Sequence, residues 1–439
     1  MLVQFSVKNF KTFKERATLS LVASNYDKKV REDENVVSKN QFDLRILKSA
    51  VIYGANASGK SKFYDALNFA RNFIIDSATD YNAGDKIPVE PFLLNSLSET
   101  EPSEFEFVFL FNNARYRYGF ELTENEIIGE WLYEKTKVKE IELFYRQFQE
   151  IDTHPKKFKK GGSIAKQGFV RENQLLISKA TQFNDEFSEE IYYWFHGIKT
   201  LSGLDESRFQ GYTMSLLEDK KKKKKILNLL HAADLDIEDL KAETLDINEL
   251  PDNMPKSLKK LLRKEAKENN KVIFTDVRTT KKKYDDDGNF VSDTYFSMDD
   301  NESSGTKKFF ALTGPILNVL EKGYVLIVDE LDSKLHPNLV NEIVSLFNSK
   351  ESNPLNAQLI FNSHDTNLLS SGLFRRDQIW FAEKNRLGEG TLFSLADFKK
   401  IRQNEALESN YLRGKYGAIP FLNYFNKINS KFLQYENEE

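Results

Sequence analysis

Gly54-Ala55-Asn56-Ala57-Ser58-Gly59-Lys60-Ser61 is the stretch of sequence that decides the fold. The apolar run Val51-Ile52-Tyr53 precedes it and a segment with helical spacing follows it, so the sequence predicts a strand, a loop and a helix. Glycines let the backbone wrap closely round phosphate oxygens, and the amides of the loop and of the helix N-terminus point at negative charge. We therefore expect a P-loop in which Lys60 reaches the β- and γ-phosphates of a nucleotide and the Ser61 hydroxyl ligates Mg²⁺.

A second apolar strand, Val325-Leu326-Ile327-Val328, ends in the two carboxylates Asp329 and Glu330. Adjacent buried charges disfavour each other, so such a pair is costly unless it has a function. Beside a P-loop it predicts a Walker B element, in which Asp329 holds the Mg²⁺ shell and Glu330 orients and deprotonates the attacking water. The alternative is an ordinary strand end whose acidic side chains cap the next helix.

Two shorter segments accompany these motifs. Ser303, Ser304 and Gly305 stand just before a helix that we expect to start at Lys307, and small hydroxyl residues at a helix N-terminus form an anion site. Taken alone they predict only an N-cap, but their place upstream of Asp329 favours an ABC-type signature. His364 ends a further apolar strand, where a contact to the γ-phosphate is expected, although a lone histidine there is usually structural.

The four elements together resemble the ABC-type head ATPases of the SMC, RecF and OLD branch. The resemblance implies an α/β fold, namely a P-loop NTPase mixed sheet with an antiparallel subdomain, and ATP with Mg²⁺ as ligands. It also implies nucleotide contacts along the opening strand, the P-loop and the D-loop. The residues at the matching positions are Lys11, Thr12, Gly54, Asn56, Ser58, Gly59, Lys60 and Asp332.

Assembly and two departures also follow from the resemblance. Two heads of this branch sandwich ATP, and the signature of one chain closes on the P-loop of the other, so we expect a head-to-head dimer or a higher oligomer. Ala57 stands where the family has a glycine, and no glutamine lies between Lys60 and Arg146 to fill the family's Q-loop position. Asn95 is the one candidate for that role.

Within the branch, the likeness is greatest to bacterial phage-defence, or abortive-infection, ATPases of the RloA and PARIS AriA kind. It rests on the short insertion and on the ending Tyr411-Leu412-Arg413-Gly414-Lys415-Tyr416-Gly417-Ala418-Ile419-Pro420. It implies an ATPase that senses infection and controls a separate effector protein such as a nuclease. The alternative is a RecF- or SMC-like DNA-repair or chromosome-associated ATPase that binds DNA directly. A nuclease within this chain is disfavoured, because the stretch after His364 lacks a Glu followed by Asp-Xaa-Asp.

Composition and patterning complete the expectations. The chain has no cysteine and no run of about 18 apolar residues, so we exclude disulfides and a membrane span and expect a cytoplasmic protein.

Residues 1–135 and 271–439 are expected to form the two parts of the ATPase head, and the Lys/Glu-rich residues 136–270 are expected to form a helical insertion. Helices are expected there at Phe187–Ile198, Lys221–Ala233 and Pro255–Lys267. The lysine run Lys220–Lys225 leaves two interpretations open, a solvated helix face and a surface for nucleic acid.

Overall fold

The computed structural model describes residues 1–25, 28–245, 273–399, 401 and 405–420. The chain forms two compact units, Met1–Ile198 with Ile360–Glu439, and Lys199–Leu359. The insertion boundaries expected near residues 135 and 270 stay a prediction.

The described residues contain eighteen strands and twelve α-helices. The strands are β1 (Leu2–Lys8), β2 (Ala17–Ser20), β3 (Val36–Lys39), β4 (Leu44–Leu47), β5 (Ser49–Tyr53), β6 (Ser103–Phe111), β7 (Ala114–Leu122), β8 (Ile127–Lys135), β9 (Glu140–Gln147), β10 (Glu150–Thr153), β11 (Ile198–Ser202), β12 (Asp239–Leu245), β13 (Ile273–Tyr284), β14 (Phe290–Ser297), β15 (Val325–Asp329), β16 (Gln358–Asn362), β17 (Ile379–Lys384) and β18 (Gly390–Ser394). The helices are α1 (Glu32–Asn35), α2 (Lys60–Asp80), α3 (Lys159–Lys166), α4 (Leu176–Gln182), α5 (Glu186–His196), α6 (Ser207–Leu216), α7 (Lys220–Ala232), α8 (Met298–Asn301), α9 (Ser304–Lys322), α10 (Pro337–Asn348), α11 (Asn367–Ser370) and α12 (Leu407–Leu412).

The first unit contains an antiparallel sheet of seven strands in the order β10-β9-β8-β7-β6-β1-β2. The alternation along β6 buries Phe105, Phe107 and Phe109 completely, as the period of two predicts. The turn to β7 is made by Asn112 and Asn113, whose φ values of 45° and 57° suit asparagine. This sheet is the predicted antiparallel part of the head.

The strand that leads into the P-loop belongs to a second sheet of the same unit. There β5 lies between β16 and β17, and β18 follows β17 at the edge. Strand β5 is parallel to β17 and buried along its whole length, which explains its continuous apolar sequence. Helix α2 packs on the antiparallel sheet, with ring centroids 5.5 Å apart for Phe5 and Phe63 and 5.7 Å apart for Phe73 and Phe120.

The described part of the expected helical insertion, residues 136–245, contains strands as well as helices. Strands β9 and β10 extend the antiparallel sheet, and in β9 the side chains of Leu143, Phe144 and Arg146 are buried whereas Glu140 and Glu142 are exposed. The helices expected at Phe187–Ile198 and Lys221–Ala233 are present as α5 and α7. The helix expected at Pro255–Lys267 lies outside the described residues.

The second unit contains the antiparallel sheet β12-β13-β14, and strand β15 lies beside β11. Helix α6 packs against α9, where the Thr213 hydroxyl donates to Ala311 O at 2.7 Å. Helix α9 begins at Ser304, three residues before the expected start at Lys307, because the Ser303 side chain caps it. Among the described residues, no helix combines the length and apolar character that a membrane crossing requires.

Candidate nucleotide-binding site

The P-loop connects β5 to α2 in the predicted order. The Lys60 ammonium is buried and donates to Gly54 O at 2.6 Å and to Ala55 O at 3.1 Å, so its side chain curls back along the loop. Gly54 has a φ of 156°, and a Cβ atom built there would lie 2.4 Å from Ala382 O. Only glycine fits this position, because the neighbouring strand leaves no space for a side chain.

A cavity of about 780 Å³ opens beside this loop. Four stretches of the first unit line it: Tyr53 to Ser58, the residues Ser363, His364 and Thr366, the pair Glu383 and Lys384, and the group Tyr411, Leu412, Ala418, Ile419 and Pro420. Asn56 and Ala57 are exposed in it, whereas Ser58 is buried. His364 is exposed on the wall, and the structure therefore brings the predicted switch histidine to the P-loop cavity.

The polar atoms round the loop fit a phosphate chain. In the part of the chain that the structure describes, Ser58 Oγ and Thr12 Oγ1 are buried without a hydrogen-bond partner. Buried hydroxyls are normally satisfied, so both atoms have capacity for a ligand oxygen. Helix α2 starts at Lys60 and presents its first amides at the same place, and Ser61 is half-buried in its first turn.

The two predicted residues of the opening segment, Lys11 and Thr12, lie in different places. Thr12 lies at the loop, since a Cβ on Gly59 would be 3.2 Å from Thr12 Oγ1. The Lys11 ammonium pairs with Asp65 at 2.8 Å and with Glu90 at 3.4 Å, and it lines a separate cavity of about 310 Å³. The nucleotide contact of Lys11 stays a prediction.

In the second unit, the predicted signature residues lie at the start of α9. Ser303 is the N-cap residue and its hydroxyl accepts from the backbone N–H of Thr306 at 3.1 Å, while Ser303 and Ser304 are both exposed. A Cβ on Gly305 would be 2.8 Å from Lys334 O, so the signature glycine allows the segment after Walker B to approach closely. An exposed helix N-terminus of this kind is suited to an anion.

The predicted Walker B carboxylates lie at the end of a fully buried strand in the same unit. Asp329 ends β15 and is buried, whereas Glu330 is half-buried and has a φ of 53°. The backbone N–H of Gly203 donates to Asp329 O at 2.6 Å, and Ser333 N donates to Glu330 O at 3.2 Å. Asp332 lies in this turn and is half-buried.

Lys308 is a functional candidate that sequence reasoning missed. Its buried ammonium donates to Glu330 O at 3.0 Å and to Ser333 O at 2.5 Å, so it joins helix α9 to the turn that contains the predicted D-loop. Burial lowers the pKa of Lys308 to about 8, against the opposing effect of nearby carboxylates, chiefly Asp332. The feature of the sequence that could have indicated Lys308 is its position directly before the apolar run from Phe309 to Leu312.

The Q-loop candidate and the C-terminal motif also have defined places in the structure. Asn95, the Q-loop candidate, accepts from the backbone N–H groups of Leu97 and Ser98 at 3.1 and 3.2 Å and so shapes a turn. The C-terminal motif, which had no expected role at the site, supplies Tyr411 and Pro420 to the wall of the P-loop cavity.

The chain was compared with protein families, curated proteins and solved structures. No curated protein matches the chain. The SMC head domain from Thermotoga maritima is similar in structure with a TM-score of 0.40 and 12% sequence identity, over 90% of this chain and 98% of that chain. Residues 49–370 match the family described as "AAA domain, putative AbiEii toxin, Type IV TA system". Because this match spans more than half of the sequence, the chain belongs to that AAA-domain family and is a P-loop NTPase of the ATPase type.

Proposed function

We propose that the chain binds Mg·ATP in the cavity beside the P-loop and hydrolyses it. The observation that carries the proposal is the arrangement at the P-loop. There the Lys60 ammonium and the first amides of helix α2 lie near the hydroxyls of Ser58 and Thr12, which have no hydrogen-bond partner among the described residues. The cavity of about 780 Å³ lies within the usual size of ligand sites, about 300–1,000 Å³.

Each predicted residue has a distinct task in this proposal. Lys60 and the loop amides neutralise the β- and γ-phosphates, and Ser61 and Asp329 hold Mg²⁺, which when bound withdraws charge from the same oxygens. Glu330 takes the proton of the attacking water. His364, exposed on the cavity wall, donates to a terminal phosphate oxygen and so stabilises the charge that develops on it.

We propose in addition that the site is completed by a second copy of the chain. Ser303 and Ser304 are exposed at a helix N-terminus, the kind of surface that accepts phosphate. The signature would then act on nucleotide that the partner copy holds, with Asp332 at the junction between the two copies.

The biological role that we favour is control of a separate effector in bacterial phage defence, as an ATPase of the RloA or PARIS AriA kind. The family description names a toxin and a toxin–antitoxin system, and it therefore supports a role in which the chain acts together with a second protein. The test is phage plating on bacteria that carry the chain with its neighbouring genes. We expect fewer plaques with the parent chain, and full plating with Lys60→Ala. Equal plating with and without the parent chain would refute the defence role and leave the ATPase proposal standing.

Direct DNA binding is the second candidate, and helix α7 is the observation that favours it. Lys220, Lys221, Lys224 and Lys225 are exposed there, although Lys225 pairs with Glu321. Replacement of Lys220, Lys221 and Lys224 by glutamine should weaken DNA binding and reduce its salt dependence. Mobility-shift titrations at several salt concentrations would show this, and identical titration curves for the parent and the variant would rule the helix out as a DNA surface.

A further inference from the structure

Part of the wall of the P-loop cavity comes from a segment that is far from the P-loop in sequence. Tyr411, Leu412 and Pro420 line the cavity together with Asn56 and Ser58. We call residues 405–420 the C-terminal segment. Its position raises the question of what it contributes to the chemistry of the site.

The C-terminal segment packs directly on the strands that flank the P-loop. The Tyr411 ring stacks on Phe381 of β17 with centroids 5.3 Å apart, and it lies 5.8 Å from the ring of Tyr53 on β5. The Tyr416 ring stacks on Phe381 at 5.8 Å, and the Tyr411 hydroxyl donates to Ala418 O at 3.1 Å. These contacts fix the segment beside the cavity.

One carboxylate of the segment reaches the loop that carries His364. The Thr366 hydroxyl donates to Glu408 Oε1 at 3.1 Å, and the Ser370 hydroxyl donates to Glu408 Oε2 at 2.9 Å. Both oxygens of Glu408 therefore hold residues that follow His364. Hydrogen bonds to a carboxylate are stronger than neutral ones, so this bridge resists displacement of the loop.

Strand β5 holds the residues on either side of His364. Ser363 N donates to Ile52 O at 3.2 Å, and the Tyr53 hydroxyl donates to Asp365 O at 3.1 Å. His364 thus stands between two residues that are attached to the P-loop strand, and Thr366, two positions further on, is attached to Glu408. The backbone position of His364 depends on these attachments together.

We propose that Glu408 is a positioning residue for His364, and that the C-terminal segment is in this way a working part of the nucleotide site. The proposal rests on the function proposed above. Loss of the Glu408 bridge frees the Thr366 and Ser370 side chains from the C-terminal segment and loosens the loop after Asp365, but it leaves the P-loop and Lys60 in place. It should therefore slow hydrolysis while nucleotide binding is kept, because catalysis is more sensitive to a displaced group than binding is.

The test compares Glu408→Ala with Glu408→Gln, and it measures kcat, KM and the affinity for a non-hydrolysable ATP analogue. We expect Glu408→Ala to lower kcat roughly tenfold or more with little change in affinity. Glu408→Gln should recover part of kcat, because its amide oxygen still accepts one hydroxyl. The matched control is Glu142→Ala, which removes an exposed carboxylate that accepts from the Tyr133 hydroxyl at 3.0 Å. It should behave like the parent.

A second comparison shows whether Glu408 acts through His364. In a His364→Ala background, Glu408→Ala should add little further loss, whereas losses that multiply would overturn the positioning role. If Glu408→Ala does not fold, Thr366→Val with Ser370→Ala removes the same bonds from the other side. An active parent with an unaffected Glu408→Ala variant would overturn this proposal alone. A parent that neither binds nor hydrolyses ATP would overturn it together with the proposed function.

Discussion

Lys60 is the buried cation of the P-loop, and its removal should weaken nucleotide binding. Its ammonium contacts the carbonyl groups of Gly54 and Ala55 and is poised to exchange them for phosphate oxygens. We expect Lys60→Ala to reduce the affinity for ATP by about tenfold or more, since a hydrogen bond to a charged group contributes about 1.5–3 kcal/mol. Isothermal titration with an ATP analogue measures the change.

The neighbouring Lys62 provides the control for this substitution. It is exposed in the same helix and lies 3.4 Å from Asp65, an exposed ion pair of little energetic weight. Lys62→Ala should bind nucleotide like the parent. Equal affinities for Lys60→Ala and the parent would show that the loop does not hold the phosphates.

The residues of the site differ in how far the sequence predicts them. The P-loop is predictable because its chemistry is local: Gly54, Ser58 and Lys60 stand in one octapeptide, and the structure keeps them together. Lys308 is not predictable in the same way. Its partners are the backbone oxygens of Glu330 and Ser333, which only the packing of helix α9 brings within reach.

At the scale of the elements, Glu130 joins the antiparallel sheet to helix α4. The helix has no side-chain cap of its own, and Glu130 on strand β8 accepts the N–H groups of Leu176 at 2.7 Å and Ile177 at 3.4 Å. Glu130 and Arg146 are both fully buried, and 3.7 Å separates their nearest charged atoms. Each residue compensates the buried charge of the other, because an unpaired buried charge is energetically costly.

Glu130→Ala should therefore destabilise the protein strongly. We expect a loss of about 3–5 kcal/mol in the free energy of unfolding, the usual consequence of breaking a buried pair. Glu142→Ala, on the same sheet but exposed, should stay within about 0.5 kcal/mol of the parent. Urea titrations followed by circular dichroism give both values, and a Glu130→Ala midpoint like that of Glu142→Ala would refute the structural role.

The elements also show where local pattern stops being sufficient. The β6–β7 hairpin follows from its alternation and its two asparagines, and the structure confirms it. The sequence pattern does not predict strand β9, because the strand lies in a stretch rich in Lys and Glu. Its stability comes from pairing with β8. The C-terminal motif is recognisable in the sequence, yet its place at the cavity depends on aromatic packing against β17.

At the scale of the whole molecule, the proposed pairing of signature and P-loop between two copies can be tested by mixing variants. A Lys60→Ala chain should fail at its own site but still supply a sound signature. A Ser304→Arg chain should bind ATP but supply no usable signature. After subunit exchange we expect the mixture to recover up to about a quarter of the parental ATPase rate, since half of the dimers are mixed and each has one intact site.

The controls for the mixing experiment are each variant alone at the same total concentration. Both should be inactive, and the recovered rate should rise with protein concentration as dimers form. Rates that merely add, in a preparation shown to exchange subunits, would contradict the shared site.

The most direct test of the central claim, that this chain hydrolyses ATP with Glu330 as its base, is a comparison of the parent with Glu330→Gln. Mg²⁺-dependent phosphate release and ATP binding are measured on the same preparations. The amide keeps the size of the side chain but accepts no proton, so we expect ATP binding like that of the parent and a loss of turnover of roughly a hundredfold or more. A parent without Mg²⁺-dependent phosphate release, or a Glu330→Gln variant that turns over at the parental rate, would contradict the account.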